Sequence, residues 1–293
     1  MAYLIHNDYL KQIQEAPLNQ IITNDERIRA STQLSAQAEA ISYLRQKYDT
    51  SKEFTDTIKW DKANSYNSFD RVYLDANVYV PSFTYNIGAT VVNSNNVYVC
   101  NTNGTSGIFN ATNWDLLGSQ YDIFYAKPIQ NEFNIYGSYI VGDEVIWQNK
   151  IYTCKIQTQE ISHDTAIQYH LYSNLPLTNV FPNDNVSGPK YWEFEEEYTV
   201  PINTDILDTD YWFLGDNRDQ QMLLYFVDIA LYHLHSRIAP RNIPQLRIDR
   251  YHSAIDWLKM CGRGEVTPNL PLIQPKSGSR IRFGSTIKNI NSY

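Results

Sequence analysis

One motif recurs in this chain at a constant spacing, and it constrains the fold more than any single residue does. Gly88, Val91, Val92, Asn95, Val97, Tyr98 and Cys100 are matched, at an offset of 54 residues, by Gly142, Val145, Ile146, Asn149, Ile151, Tyr152 and Cys154. Two β-branched or apolar runs on either side of an Asn form a hairpin, with its turn near the Asn. A repeat of hairpins predicts two related β-modules. The first copy closes with Thr112, Asn113, Trp114, Asp115, Leu116, Leu117 and Gly118. Thr209, Asp210, Tyr211, Trp212, Phe213, Leu214 and Gly215 offer the same pattern for the second, after a gap about 43 residues longer. The surplus, roughly 157–200, is expected to be a long loop carrying Glu193 and the acids Glu195, Glu196 and Glu197. Upstream, Val72, Leu74, Val78 and Val80 alternate as strand residues do.

The flanks have a different period. Asn7 can cap a short helix through Tyr9, Leu10 and Ile13 that stops before Pro17. Asn24 or Asp25 opens a longer one, with Ile28, Leu34, Ala38, Ile41, Leu44 and Tyr48 at three- and four-residue steps. Helical pattern returns at Asn217, a candidate cap for Arg218 through Arg237. Its middle is nearly apolar all round, which predicts the most buried helix. Pro240 and Pro244 interrupt the chain. A last helix is expected from Leu246 to Cys261, with Tyr251, Ala254, Ile255 and Leu258 inward and Gly262 at its C-cap. Pro268, Pro271 and Pro275 then exclude a helix, leaving an extended tail.

Charge is distributed in blocks. Residues 1–54 carry 6 basic and 7 acidic side chains, 55–216 carry 7 and 20, and 217–293 carry 11 and 5. The blocks therefore sum to −1, −13 and +6, a polarity that suits contact between an acidic face of one copy and a basic face of another. The three Cys are too few for a disulfide framework. Cys100 and Cys154 hold equivalent repeat positions, as buried packing residues would. No signal peptide and no run of about 20 apolar residues is present, so no membrane partner is expected.

Chemistry-bearing motifs are sparse. The chain has no phosphate-binding Gly loop, Gly-x-Ser-x-Gly elbow or HExxH. His233 and His235 fall on different faces of one helix. His163 and His170 have Asp164 nearby but no further ligand set. No catalytic, cofactor or metal residue is expected. Trp114, Tyr211 and Trp212, with Trp147 and Trp192, could form a sugar-stacking platform. The other reading is that they fill cores too small to close without aromatics.

Two pieces of the chain resemble one family. Residues 1–49, ending in Tyr43, Leu44, Arg45 and Tyr48, look like the start of the Mu-type phage head–tail joining proteins. Asp228, Ile229, Ala230, Leu231, Tyr232 and Leu234, followed by Arg250, Tyr251, Ala254, Trp257, Leu258 and Gly262, resemble that family's remaining helices. Together the pieces cover roughly 110 of 293 residues. The hairpins with a closing Trp also resemble small chitin-binding-type modules. The segment Ser279, Arg280, Ile281, Arg282, Phe283, Gly284 and Ser285 is similar to neck proteins of crAss-like phages.

Residue pattern and resemblance together predict an α+β protein: a small helical connector domain (1–54 and 217–264) split by two β-hairpin or β-sandwich-like modules (55–134 and 135–216), an insertion that departs from the family, with an extended C-terminal tail (265–293). It implies a non-enzymatic virion subunit, assembled in the host cytoplasm, forming a neck ring of typically twelve copies. Its partners would be itself, the portal protein and other neck or tail rings, with packaged DNA passing nearby. Tyr43, Leu44, Tyr48, Ile229, Tyr251 and Leu258 would be packing positions. Arg280, Ile281, Arg282, Phe283 and Lys288 would meet a neighbouring ring. The alternative expectation is a carbohydrate-binding accessory protein using Trp114, Tyr211 and Trp212.

Overall fold

The computed structural model describes residues 3–23, 25–128, 130–135, 137–157, 180–185, 188–238 and 243–273. The described helices are α1 (His6–Leu10), α2 (Glu15–Ile22), α3 (Glu26–Leu44), α4 (Thr50–Glu53), α5 (Gly188–Tyr191), α6 (Gln220–Ile238) and α7 (Gln245–Arg263). The strands are β1 (Thr57–Lys59), β2 (Tyr66–Asn67), β3 (Arg71–Tyr73), β4 (Asn77–Val78), β5 (Thr90–Asn93), β6 (Asn96–Cys100), β7 (Trp114–Ser119), β8 (Ile123–Ala126), β9 (Glu144–Trp147), β10 (Lys150–Cys154), β11 (Trp192–Glu197), β12 (Thr199–Val200) and β13 (Trp212–Leu214). The protein is thus mixed α+β with several small sheets. It divides into two compact units, one taking in residues 1–131, 148–150 and 197–273, the other residues 132–147 and 151–196.

In the first unit, helices from both ends of the sequence share one core. Tyr9, Leu18, Ile22, Ala36, Ala40 and Leu44 pack with Met222, Phe226, Ile229, Ala230, Leu234, Ala254 and Leu258. The six packing positions named above all join this core, Tyr43 and Tyr251 at its margin. The α6 helix is enclosed on every side through its middle, as its apolar pattern requires.

Helix α3 departs from expectation: Thr32, Gln33, Ala36, Ala40 and Leu44 face inward, while Leu34 and Ala38 face out. Small residues let a neighbouring helix approach closely, so the inner face is not the one with the largest side chains. Pro17 does not end a helix but sits in the first turn of α2, where its missing N–H has no partner to lose.

Asp25 caps α3, its side chain accepting from the Arg27 N–H. The cap of α6 is Asp219, which accepts from the Met222 N–H at 2.8 Å; Asn217 instead accepts from Arg71. The α7 C-cap is Gly264, left-handed at φ 79°, not Gly262. Gly262 is needed for close packing instead, since a Cβ there would lie 2.7 Å from the Tyr43 carbonyl oxygen. Gly262→Ala should therefore lower stability by about 1–3 kcal/mol despite its better helix propensity. The urea midpoint checks this.

The first unit's strands form a sheet ordered β1-β3-β8-β13, a second ordered β4-β5-β6-β7, and a β12-β2 ribbon. Val72 and Leu74 are buried, but Val78 is exposed. The alternating stretch holds two short strands, β3 and β4, in different sheets. Adjacent β5 residues serve two cores, as alternation demands: Val92 joins Trp60, Tyr66, Val72, Phe124 and Trp212, while Val91 joins Tyr79, Cys100 and Trp114. Past α7 the chain runs extended, with Leu272 bridging Tyr48 and the Asp49 N–H donating to the Pro271 carbonyl at 2.7 Å.

The second unit is a three-stranded sheet ordered β11-β10-β9 around Phe133, Val145, Cys154, Phe181, Tyr191 and Trp192. Both repeated hairpins form, with both turn residues at positive φ: Ser94 and Asn95 at 51° and 64°, Gln148 and Asn149 at 51° and 59°. That is the turn whose twist matches paired strands. The repeat reaches further upstream than the motif suggests. The Tyr79 N–H donates to Val92 and the Phe133 N–H to Ile146; the Tyr85 hydroxyl accepts from the Val80 N–H and the Tyr139 hydroxyl from the Asn134 N–H.

The closing strand of the second module is β11, not residues 209–215. Asn101 N–H donates to Asn113 at 3.0 Å, and Lys155 N–H donates to Tyr191 at 2.8 Å, so Trp192 is the counterpart of Trp114. Tyr79 meets Trp114 edge-on at 5.6 Å, and Phe133 meets Trp192 edge-on at 5.4 Å. Strand β13 belongs to the first unit, paired with β8. Residues 188–197 are accordingly helix and strand, not loop, and Glu193–Glu197 is the exposed part of β11.

Candidate functional site

The residues singled out from sequence divide sharply. Arg280, Ile281, Arg282, Phe283 and Lys288 lie outside the described residues, as do His163, Asp164, His170, Asn24 and Pro240. Trp114 and Trp212 are 4% and 3% exposed and belong to two different cores, with Tyr211 packed beside the second. The three rings therefore do not make one exposed stacking platform. Cys100 and Cys154 are buried, and each thiol donates to a backbone carbonyl two residues on, at 3.0 and 3.2 Å.

Two features of the first unit carry unusual chemistry. The first is a buried ionic cluster joining α1, α4, β3 and the start of α6. Arg218, with a fully buried side chain, donates to Asp8 Oδ2 at 2.8 Å, Asp8 Oδ1 at 3.1 Å, the Tyr3 carbonyl at 2.7 Å and both Asp216 oxygens at 2.8 Å. Arg71 donates to the Glu53 carbonyl at 2.8 Å and to Asn217 at 2.5 Å, and the Tyr3 hydroxyl donates to Glu53 Oε1 at 2.6 Å. Burial penalises the charge on Asp216, but the Arg218 contacts outweigh it, so its carboxyl titrates below the usual range. On Glu53 burial wins over Tyr3 and Arg71, and its carboxyl is raised.

The two signs give opposite pH effects. Asp216 contributes stability above its unfolded pKa of about 3.9 that is lost as pH falls through its lower folded value. Glu53 contributes stability below its unfolded value of about 4.3 that is lost as pH rises through its higher folded value. Glu53→Gln should therefore remove a decline in unfolding free energy as pH rises above the ordinary glutamate range. Urea titrations at a series of pH values from 4 upward read this out directly.

The second feature is a cleft of about 250 Å³ between the N-terminal helices and the sheet, lined by Leu4, Ile5, His6, Glu26, Arg29, Thr57, Tyr73, Asp75 and Tyr121. His6 and Tyr121 rings lie 6.5 Å apart, and Tyr73 and Tyr121 6.4 Å. Arg29 pairs with Glu26 at 2.5 Å and sits over the Tyr9 ring at 5.3 Å, its Nη1 buried without a hydrogen-bond partner. Asp75 Oδ1 accepts from Gln120 at 2.8 Å. Burial first, and then the Asp75 charge, raise both the Tyr73 and Tyr121 hydroxyls, so both stay protonated. No local spacing advertises this cleft, because its walls come from residues more than a hundred positions apart.

Among the described residues no group of three His, Cys, Asp or Glu side chains could hold a metal ion, and no helix is long and apolar enough to cross a membrane. Compared with known proteins, the chain matches no family model and no curated protein.

Proposed function

We propose that this chain is a structural subunit of a tailed-phage virion, forming a ring in the neck that joins the portal to the tail around the DNA exit channel. The observation that carries the reading is the shared core: helices before residue 54 and after residue 218 close on one another. These are the stretches that resemble the head–tail joining family. On this reading they are one connector domain, with the β-modules as an insertion in its sequence. Its partners are other copies of itself (typically twelve), the portal and adjoining rings. A central helix buried on every side through its middle and a buried ionic cluster suit a rigid building block rather than a site that must open and close.

Burial of Trp114 and Trp212 leaves little ring face for a sugar to stack on, which favours the neck-ring reading over the carbohydrate one. Negative-stain electron microscopy of the purified protein tests the proposal: class averages should show closed rings with rotational symmetry. A protein that stays monomeric at high concentration and is absent from purified particles would overturn it.

A further inference from the structure

We propose that the cleft beside α1 and β3 receives an arginine side chain from the C-terminal segment of a second copy of this chain. The inference rests on the ring reading above and names the contact that would link one copy to the next. At about 250 Å³ the cleft falls below the roughly 300–1,000 Å³ of small-molecule sites, so it suits a single long side chain better than a cofactor.

Its chemistry selects a cation. Three rings, His6, Tyr73 and Tyr121, face the same space as the Asp75 carboxylate. The cleft's own cation, Arg29, is held by Glu26 and the Tyr9 ring, with its Nη1 left without a hydrogen-bond partner, and forms no ion pair with Asp75 among the described residues. Asp75 forms no ion pair among the described residues, and its one hydrogen bond there comes from a neutral amide. An uncompensated carboxylate beside aromatic faces attracts a guanidinium in two ways, by a charge-assisted hydrogen bond and by stacking. Arginine fits better than lysine because its plane both stacks and forks.

The chain itself carries the complementary segment. From residue 266 to its end it has Lys276, Arg280, Arg282 and Lys288 and no acidic side chain. Within it Arg280 and Arg282 alternate in sequence with Ile281 and Phe283.

The test uses the full-length chain with Arg280→Glu and Arg282→Glu, so that its own segment cannot compete. A fluorescent peptide of residues 276–288 is titrated into it and followed by anisotropy. Saturable binding is expected, weakened about tenfold or more by Asp75→Asn and reduced by added salt. A peptide carrying Glu at both arginine positions should bind only the Asp75→Lys form, a rescue that a merely misfolded variant could not show. Sedimentation velocity of the wild-type chain completes the experiment. Assembly with peptide binding indifferent to Asp75 overturns the cleft contact and leaves the ring reading standing. Binding sensitive to Asp75 in a wild-type chain that stays monomeric overturns the ring and the second copy, while the cleft's recognition of arginine stands.

Discussion

Arg218→Met is expected to cost about 3–5 kcal/mol of unfolding free energy. The arginine side chain is fully buried, and burial would depress its charged state. Its contacts with Asp216 and Asp8 outweigh that, so it remains a cation. Removing it leaves the Asp8 carboxylate, 2% exposed, with only the longer, half-exposed Lys11 contact at 3.4 Å and strands the Tyr3 carbonyl. The penalty is the cost of an uncompensated buried ion rather than the worth of the pair.

A double variant separates these two quantities. Asp8→Asn keeps an oxygen for the Ile5 N–H, which Asp8 now accepts at 2.9 Å, while removing the charge. Arg218→Met with Asp8→Asn should therefore be more stable than Arg218→Met alone. Urea midpoints at neutral pH, with unchanged slope, measure both. A natural domain holds only about 5–15 kcal/mol in total, so the single variant should be visibly unfolded at moderate denaturant.

Trp192→Ala and Trp212→Ala are expected to cost about 3–5 kcal/mol each, but in different places. Trp192 fills the second unit's core against Phe133 and Tyr139, and its indole N–H donates to the Val180 carbonyl at 2.8 Å. Trp212 packs on Tyr66 at 5.2 Å in the first unit. Hydrogen exchange read by mass spectrometry localises each loss. Trp192→Ala should release protection in 133–154 and leave 57–74 protected, and Trp212→Ala should do the reverse. Loss of protection in 133–154 on Trp212→Ala would contradict the strand assignment. Small aromatic cores have little else to hold them, so the loss should spread through the whole affected unit.

These two tryptophans mark where local sequence stops deciding structure. Thr112–Gly118 and Thr209–Gly215 are similar strings, and both form strands. A strand's pairing partner is set by which sheet edge it can reach and which core its inward side chain completes, and neither is encoded locally. Asp75 and Tyr121 illustrate the same limit for the cleft. Each is an ordinary residue in its own stretch, and only the packing of α1 and α3 against the sheet brings them together. The buried cluster is equally silent, because Asp8, Glu53, Arg71 and Arg218 stand far apart in the sequence.

By itself the sequence determined the features that depend on neighbours a few residues away. These are the two hairpins with their Asn-containing turns, the start of α3 at Asn24 or Asp25, the nearly apolar middle of α6, and the interior positions of Cys100 and Cys154. Their causes are local dihedral preference and hydrophobic period. Only the tertiary structure decided which strand closes each module, which face of α3 turns inward, that Gly262 is needed for close approach rather than for a cap, and which charges are buried together. Those outcomes depend on contacts across long stretches of chain, where shape and charge complementarity select among segments that look alike in sequence.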